Sequence, residues 1–327
     1  MRTTLALLAL LFSAHANADV LVAANRGGSV ATLIEPDSMT LIAQVDAGPQ
    51  PHEVAVSPDG TLAYVSNYVS ATGSTLSVID LQARRKVKEI PLGNLRGPHG
   101  LEQRGGKIYF TAESSGAVGR YDPVADRIDW VGRTSANGGH MLAVRHDGSM
   151  VYTGNIQSDS VSLIPVSGAE SSARKIIPVL DAPEAIAVSP DGRWLWAGSV
   201  TLNGGIAVID LESESVVATL AHGQMSYRIA FSPDGRYVFV SRQKSVVVYD
   251  AATRNEVKRI ATAGNAFAIL FRDDGRFAFV SMGGPDRIAK IDVLSLAIVG
   301  EVAASPVPDG LGYARQPVGP RRRAVRP

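Results

Sequence analysis

Short apolar runs alternate with turn residues along almost the whole chain. No stretch sustains the three-to-four-residue apolar spacing of an amphipathic helix. Val54–Val56 is followed by Ser57-Pro58-Asp59-Gly60 and then by a β-prone run, Ala63-Tyr64-Val65-Ser66. Proline's fixed φ and glycine's access to positive φ make Ser-Pro-Asp-Gly the turn of a hairpin. A third run ends on an aspartate that can fold onto its own backbone. It recurs as Val78-Ile79-Asp80, Arg120-Tyr121-Asp122, Val208-Ile209-Asp210, Val248-Tyr249-Asp250 and Lys290-Ile291-Asp292. A fourth, more polar run (Lys86–Ile90, Val216–Leu220, Glu256–Ile260) has the character of an exposed edge strand.

This four-strand unit repeats. Pro51-His52-Glu53-Val54-Ala55-Val56-Ser57-Pro58-Asp59-Gly60 returns as Pro183-Glu184-Ala185-Ile186-Ala187-Val188-Ser189-Pro190-Asp191-Gly192, again from Tyr227 to Gly235, and again from Phe267 to Gly275. Weaker copies begin at His99, His140 and Asp309. Aligning His52, His99, His140, Glu184, Tyr227, Phe267 and Asp309 gives spacings of 47, 41, 44, 43, 40 and 42 residues. A period of about 40–45 residues with several strands per repeat is that of a propeller blade. The count also closes. Val20–Ala24, Ser29–Ile34 and Thr40–Val45 are three strands without a first, and Gly310–Ala314 is a first strand without a blade. Joining them makes a seventh blade from both ends and removes the open sheet edges of a linear array. The predicted fold is all-β: a seven-bladed β-propeller of four-stranded antiparallel blades over residues 19–315.

Tyr64-Val65-Ser66-Asn67, with the repeated Ser-Pro-Asp-Gly and Val-Ile-Asp signatures, resembles the YVTN family of β-propellers, bacterial periplasmic seven-bladed proteins akin in repeat length to WD40 propellers. More distantly the chain is similar to the haem d1 domain of cytochrome cd1 nitrite reductase. The resemblance implies a fold over the whole propeller region. It implies much less about function, because propellers carry lyases, lactonases, dehydrogenases and plain scaffolds.

The chain ends change the picture of where the protein works. Arg2, the apolar run from Leu5 to Phe12 and Ala16-Asn17-Ala18 form a secretory signal over residues 1–18, so a periplasmic or secreted location is expected. The apolar run is shorter than the about 20 residues of a spanning helix, so no membrane span is expected. Residues 316–327 read as a basic, proline-rich, disordered tail. The net charge is +1, yet Arg2, Arg321, Arg322, Arg323 and Arg326 contribute five positive charges and leave −4 on the rest, which argues against nucleic acid as a partner. The absence of cysteine excludes disulfides, thiolate-bound zinc, iron–sulfur clusters and thioether-linked haem. A closed ring needs no partner for its core, and a monomer is expected.

The residues entering the innermost strands should ring the mouth of the central channel. Of six histidines, three occupy that ring, where random scatter would put about 0.1. His52, His99 and His140, with Glu184 as a fourth ligand or an outer partner, suit a divalent transition metal (Zn, Cu or Fe), because neutral imidazole is a common donor and a closed ring lets side chains converge. The plainer alternative is a polar, solvated funnel with incidental histidines. A second ring, at the ends of the second strands, holds Asn25, Asn67, Glu113, Asn155, Ser199, Arg242 and Met282. Its asparagines read as backbone caps. Glu113 is placed to orient an imidazole or act as general base, and Arg242 or Tyr227 to hold an anionic substrate. No nucleophile elbow, phosphate-binding loop or His-Glu-x-x-His pair is present. Three functions follow: binding of a metal ion or small ligand at the channel mouth; a metal-assisted lyase or hydrolase, or haem d1-type tetrapyrrole binding, at the same site; and a protein-interaction scaffold without chemistry.

Overall fold

The hairpins expected from the repeats are present in the computed structural model, which describes residues 19–221 and 223–315. The signal segment 1–18, the tail 316–327 and His222 lie outside the described residues. Seven sheets follow one another around an axis, their innermost strands in contact in sequence order and the last against the first. Blade 1 is the shared one: Val20–Asn25, Val30–Glu35 and Thr40–Asp46 take Pro308–Ala314 as their innermost strand, with Val20 opposite Ala314 and Val22 opposite Gly312. Blade 2 runs Pro51–Val56, Leu62–Asn67, Thr75–Asp80 and Arg85–Pro91 from axis to rim. Blades 3 to 7 start with Pro98–Arg104, Gly139–Val144, Pro183–Val188, Arg228–Phe231 and Asn265–Phe271.

Middle strands are covered on both faces by the adjacent blades, which is why they read as near-continuous apolar runs rather than as alternating ones. Val22 and Leu33 of blade 1 pack with Val65 and Ile79 of blade 2. Tyr64 and Val78 of blade 2 pack in turn with Phe110 and Tyr121 of blade 3. The outermost strands keep one side wet, as their polarity predicted: in Arg85–Pro91 Ile90 is the buried residue.

Blade 3 departs from the four-strand expectation. Blade 4 makes its fourth strand late, at Lys175–Pro178. The chain before it lends Glu170–Ser172 as a fifth strand to blade 3, parallel to Arg127–Arg133. That loan covers one exposed edge, and a short polar segment carries no periodicity that would announce it.

Candidate functional site

The innermost strands share a distortion. In blades 2, 3, 4 and 7 their ladder slips between the entry residue and the strand proper: between Pro51 and Val54, Pro98 and Leu101, Gly139 and Leu142, and Ala266 and Ile269. A bulge of this kind frees a residue from the pleat and re-aims its side chain. In blades 2, 3 and 7 a hydroxyl on the second strand ties the bulge down. Ser66 Oγ accepts from Glu53 N at 3.0 Å and donates to the His99 carbonyl of the next blade at 2.9 Å. Thr111 Oγ1 does the same between Gly100 N (2.8 Å) and the His140 carbonyl (2.7 Å). The third residue of the Tyr-Val-Ser-Asn run is thus the staple that hangs one ring residue from its neighbour's blade. The asparagine after it bonds inward. Asn67 Nδ2 donates to Thr75 and Ser77, and Asn155 Nδ2 to Ser160 and Ser162.

His52, His99 and His140 meet. Ring centroids are 4.9 Å apart for His52 and His99 and 3.7 Å for His99 and His140. Tyr68 packs 4.7 Å from His52 and stands edge-on to His99 at 4.9 Å. Glu113, at the start of the 3₁₀ turn Glu113–Ser115, takes His140 Nδ1 and the Tyr68 hydroxyl on the same Oε2, each at 2.9 Å. Burial pushes the Glu113 carboxyl up, but those two donors bring it below its ordinary value, so it is a carboxylate. The Tyr68 phenol moves the other way, held protonated by burial and by Glu113. Accepting from His140 Nδ1, Glu113 fixes that tautomer and leaves Nε2 as the nitrogen free for a ligand. His52 is anchored likewise, Nδ1 at 3.1 Å from the Gln50 carbonyl. His52 and His99 are 5% and 4% exposed, and burial lowers both pKa values, His99 far more with two imidazoles beside it. Both are neutral at pH 7, and His99 Nδ1 is buried without a partner among the described residues.

The floor beneath the histidines is an ion cluster. Arg228 of blade 6 reaches across the axis to Glu53 of blade 2 through Nη2, and its Nη1 lies 3.2 Å from Glu184 Oε1 of blade 5. Burial pushes the Glu53 carboxyl up while Arg228 pulls it back; the guanidinium, faced by Glu53, Asp309 and Glu184, is held firmly charged. At the equivalent positions the other blades carry Gly100, Met141, Ala185, Ala268 and Gly310. Gly310 is required: a Cβ there would stand 2.3 Å from the His52 carbonyl oxygen and 2.7 Å from Glu53 Oε2. The remaining wall pairs Arg26 with Asp309 at 3.3 Å and lays the Arg26 guanidinium over the Phe267 ring at 4.6 Å.

Three expectations need correction. Glu184 belongs to the Arg228 cluster and not to the histidines. Among the described residues no group of three or more histidine, aspartate or glutamate side chains is set to hold a metal ion. Arg242, expected at the rim, is fully buried and donates through Nη2 to the Tyr249 hydroxyl at 2.6 Å. Tyr227 stays at the mouth, edge-on to Phe267 at 5.3 Å with its hydroxyl on Met225 Sδ.

Sequence reasoning passed over Tyr68, Glu53, Arg228 and Arg26. For Glu53 and Arg228 a signal existed: they are the charged residues at a strand position otherwise filled by small or apolar ones. Tyr68 had none, because its aim is set by the loop after it. There Val69, Ser70 and Ala71 all adopt positive φ (44°, 50° and 67°), a costly run for residues with a Cβ.

The Cytochrome D1 heme domain family matches this chain over residues 158–268 and 195–315. Antigen Lp49 of Leptospira interrogans (serogroup Icterohaemorrhagiae, serovar copenhageni, strain Fiocruz L1-130) is 25% identical over 205 residues, 56% of this chain; the match spans 43% of the antigen's length, less than half. A functionally unknown protein from Desulfotomaculum acetoxidans DSM 771 superposes with a TM-score of 0.75 at 14% identity, covering 91% of this chain and 99% of the other. Hydrazine synthase of Kuenenia stuttgartiensis superposes at 0.52 and 17% identity over 91% and 93%. With blades closed through both ends and a match that begins in blade 4 and runs to residue 315, the chain is a seven-bladed β-propeller similar to the Cytochrome D1 heme domain.

Proposed function

We propose that this protein is an exported ligand-binding propeller whose histidine cluster receives a small molecule at the channel mouth, and that an iron tetrapyrrole is the ligand class it suits best. The observation that carries this reading is His140 held by Glu113 at 2.9 Å beside His52, His99 and Tyr68. A tetrapyrrole iron can be held by a single oriented imidazole, which His140 would supply. A bare tetrahedral ion would need four converging donors. The similarity to the Cytochrome D1 heme domain supports the same ligand class. The donor chemistry fits: a carboxylate on Nδ1 raises the basicity of Nε2, and His99 brings a second neutral imidazole with an unpartnered nitrogen. When bound, the group supplies redox and small-ligand chemistry at its iron. The chain's part is to orient His140 through Glu113, to hold a proton on Tyr68 and to close the channel below with Glu53 and Arg228. The sequence of residues 1–18 supports export, and no helix among the described residues is long and apolar enough to cross a membrane.

The test is a visible-absorbance titration of the purified protein with an iron tetrapyrrole. Binding with a shifted Soret band that His140→Ala abolishes and His146→Ala keeps supports the reading. Equal binding by wild type and His140→Ala overturns it. A second reading, acid–base catalysis on a small substrate, is favoured by the Tyr68–Glu113–His140 chain of hydrogen bonds and calls for a turnover screen with Glu113→Gln as the control.

A further inference from the structure

On the face opposite the histidines, a cleft of about 370 Å³ opens between blades 7 and 1 and contains Lys290. Lysine is out of place there. Counting back from the end of each third strand, the equivalent residues are Leu33, Val78, Leu163, Val208 and Val248, all core positions, and Arg120 in blade 3. Arg120 has a dedicated counterion: Asp129, at the bulge of the neighbouring outermost strand, accepts from its Nε at 2.6 Å. Blade 7 has the same bulge, but its residue is Val299, which is 55% exposed. Lys290 is therefore a core cation without the carboxylate that its counterpart owns.

Its surroundings add positive charge. Around the single Phe277 ring converge Lys290 Nζ at 4.1 Å, the Arg272 guanidinium at 4.6 Å and that of Arg276 at 4.9 Å. Lys290 Nζ donates to the Asp37 carbonyl at 3.0 Å, while the exposed Asp37 carboxylate is 3.9 Å away and already takes Arg272 at 2.8 Å. The other lining carboxylates are engaged, Asp292 with Ser295 and Glu301 with Arg287. Arg276 forms no ion pair among the described residues, its charge being felt at a distance by Asp274 and Asp292. Burial depresses the Lys290 ammonium, and Arg272 and Arg276 add to it against the pull of Asp37 and Glu35. A desolvated amine beside other cations is the setting in which lysine becomes a nucleophile.

We propose that Lys290 is a nucleophilic amine site that captures a small carbonyl compound bearing an anionic group, with Arg276 receiving the anion. The amine lone pair attacks the carbonyl carbon and the C–N bond forms. Protons pass from nitrogen to oxygen, and water leaves to give the imine. This site is independent of the histidine cluster and stands whether or not that cluster binds a tetrapyrrole.

Pyridoxal 5′-phosphate is the probe. The full-length protein is exposed to a limiting amount and reduced with borohydride, which delivers hydride to the imine carbon and leaves a stable secondary amine. The labelled lysines are then mapped by mass spectrometry. Lys290 is expected to take label about tenfold faster than Lys86, Lys88, Lys107, Lys175, Lys244 and Lys258. That preference should fall several-fold with unphosphorylated pyridoxal and in Arg276→Gln, both measured on a protein that keeps Lys290 and its fold. Labelling of Lys290 no faster than the other six overturns the amine site. Labelling indifferent to the phosphate and to Arg276 overturns the anion's role.

Discussion

Replacing Arg228 with methionine tests whether charge across the axis holds the propeller shut. The substitution keeps an apolar stem of similar length and removes the cation that Glu53 and Glu184 share. Breaking a buried pair by removing one partner costs about 3–5 kcal/mol, because the other charge is left without solvent or counterion. Glu53 is 7% exposed and Asp309 adds further negative charge, so this pair belongs at the upper end of that range. The loss has an escape, which is protonation of Glu53. Its folded-state pKa is already pushed above the ordinary 4.5 by burial, and without Arg228 it rises further. A carboxyl whose folded pKa is raised binds more protons folded than unfolded. Stability then falls with rising pH between 4.5 and the raised value, by about 1.4 kcal/mol per unit. Urea unfolding of Arg228→Met at pH 5, 6.5 and 8 should therefore show the deficit growing with pH at constant denaturant dependence. Glu53→Gln should cost less than Arg228→Met, and the double variant should recover most of the loss at pH 8. A deficit under about 1 kcal/mol at every pH, or a double variant no better than Arg228→Met, refutes the cross-axis pairing.

Gly310→Ala forces a methyl to within 2.5 Å of Glu53 Cα and should destabilise by about 2–3 kcal/mol in the same unfolding assay, whereas Gly28→Ala, at ordinary φ with Val30 Cγ2 4.0 Å away, should cost less. Because the His99 and His52 pKa values are depressed in the fold, the unfolded chain takes up protons first. Stability present above pH 6.5 should drain away by up to about 1.4 kcal/mol per pH unit per group as pH drops toward the depressed values, and a His99→Phe variant should show a flatter thermal midpoint against pH. Asn67→Ala leaves the Thr75 and Ser77 hydroxyls without their buried donor and should lower stability by about 1–3 kcal/mol, readable as a shift in urea midpoint. Val69→Gly relieves a positive φ that glycine adopts without penalty, so it should hold or raise the thermal midpoint despite the loss of a side chain.

What could be read along the chain was whatever repeats. The spacing from His52 to Asp309, the Ser-Pro-Asp-Gly turns and the aspartates closing the third strands specify hairpin, blade and count, because turn geometry and short apolar runs are local properties. The closing of blade 1 by Pro308–Ala314 was legible for the same reason, as an unpaired first strand seeking three others. The ring containing His52, His99 and His140 was legible because equivalent positions of a closed repeat face one axis. What those residues do to one another was not. Glu184 sits one blade from His140 and its position in the ring points it at the imidazoles, yet the Arg228 guanidinium of the next blade lies 3.2 Å from its carboxylate. Glu53 and Arg228 are 175 positions apart and face each other across the channel. The loan of Glu170–Ser172 to blade 3, the burial of Arg242 and the aim of Tyr68 are of the same kind. Electrostatic and aromatic contacts depend on distance in space and on the dielectric around them, and sequence separation around a ring carries neither. Hence the chain's order alone determined the propeller, and its closure in three dimensions decided which of the polar groups at its mouth gather as an imidazole cluster, which are counterions and which are buried between blades.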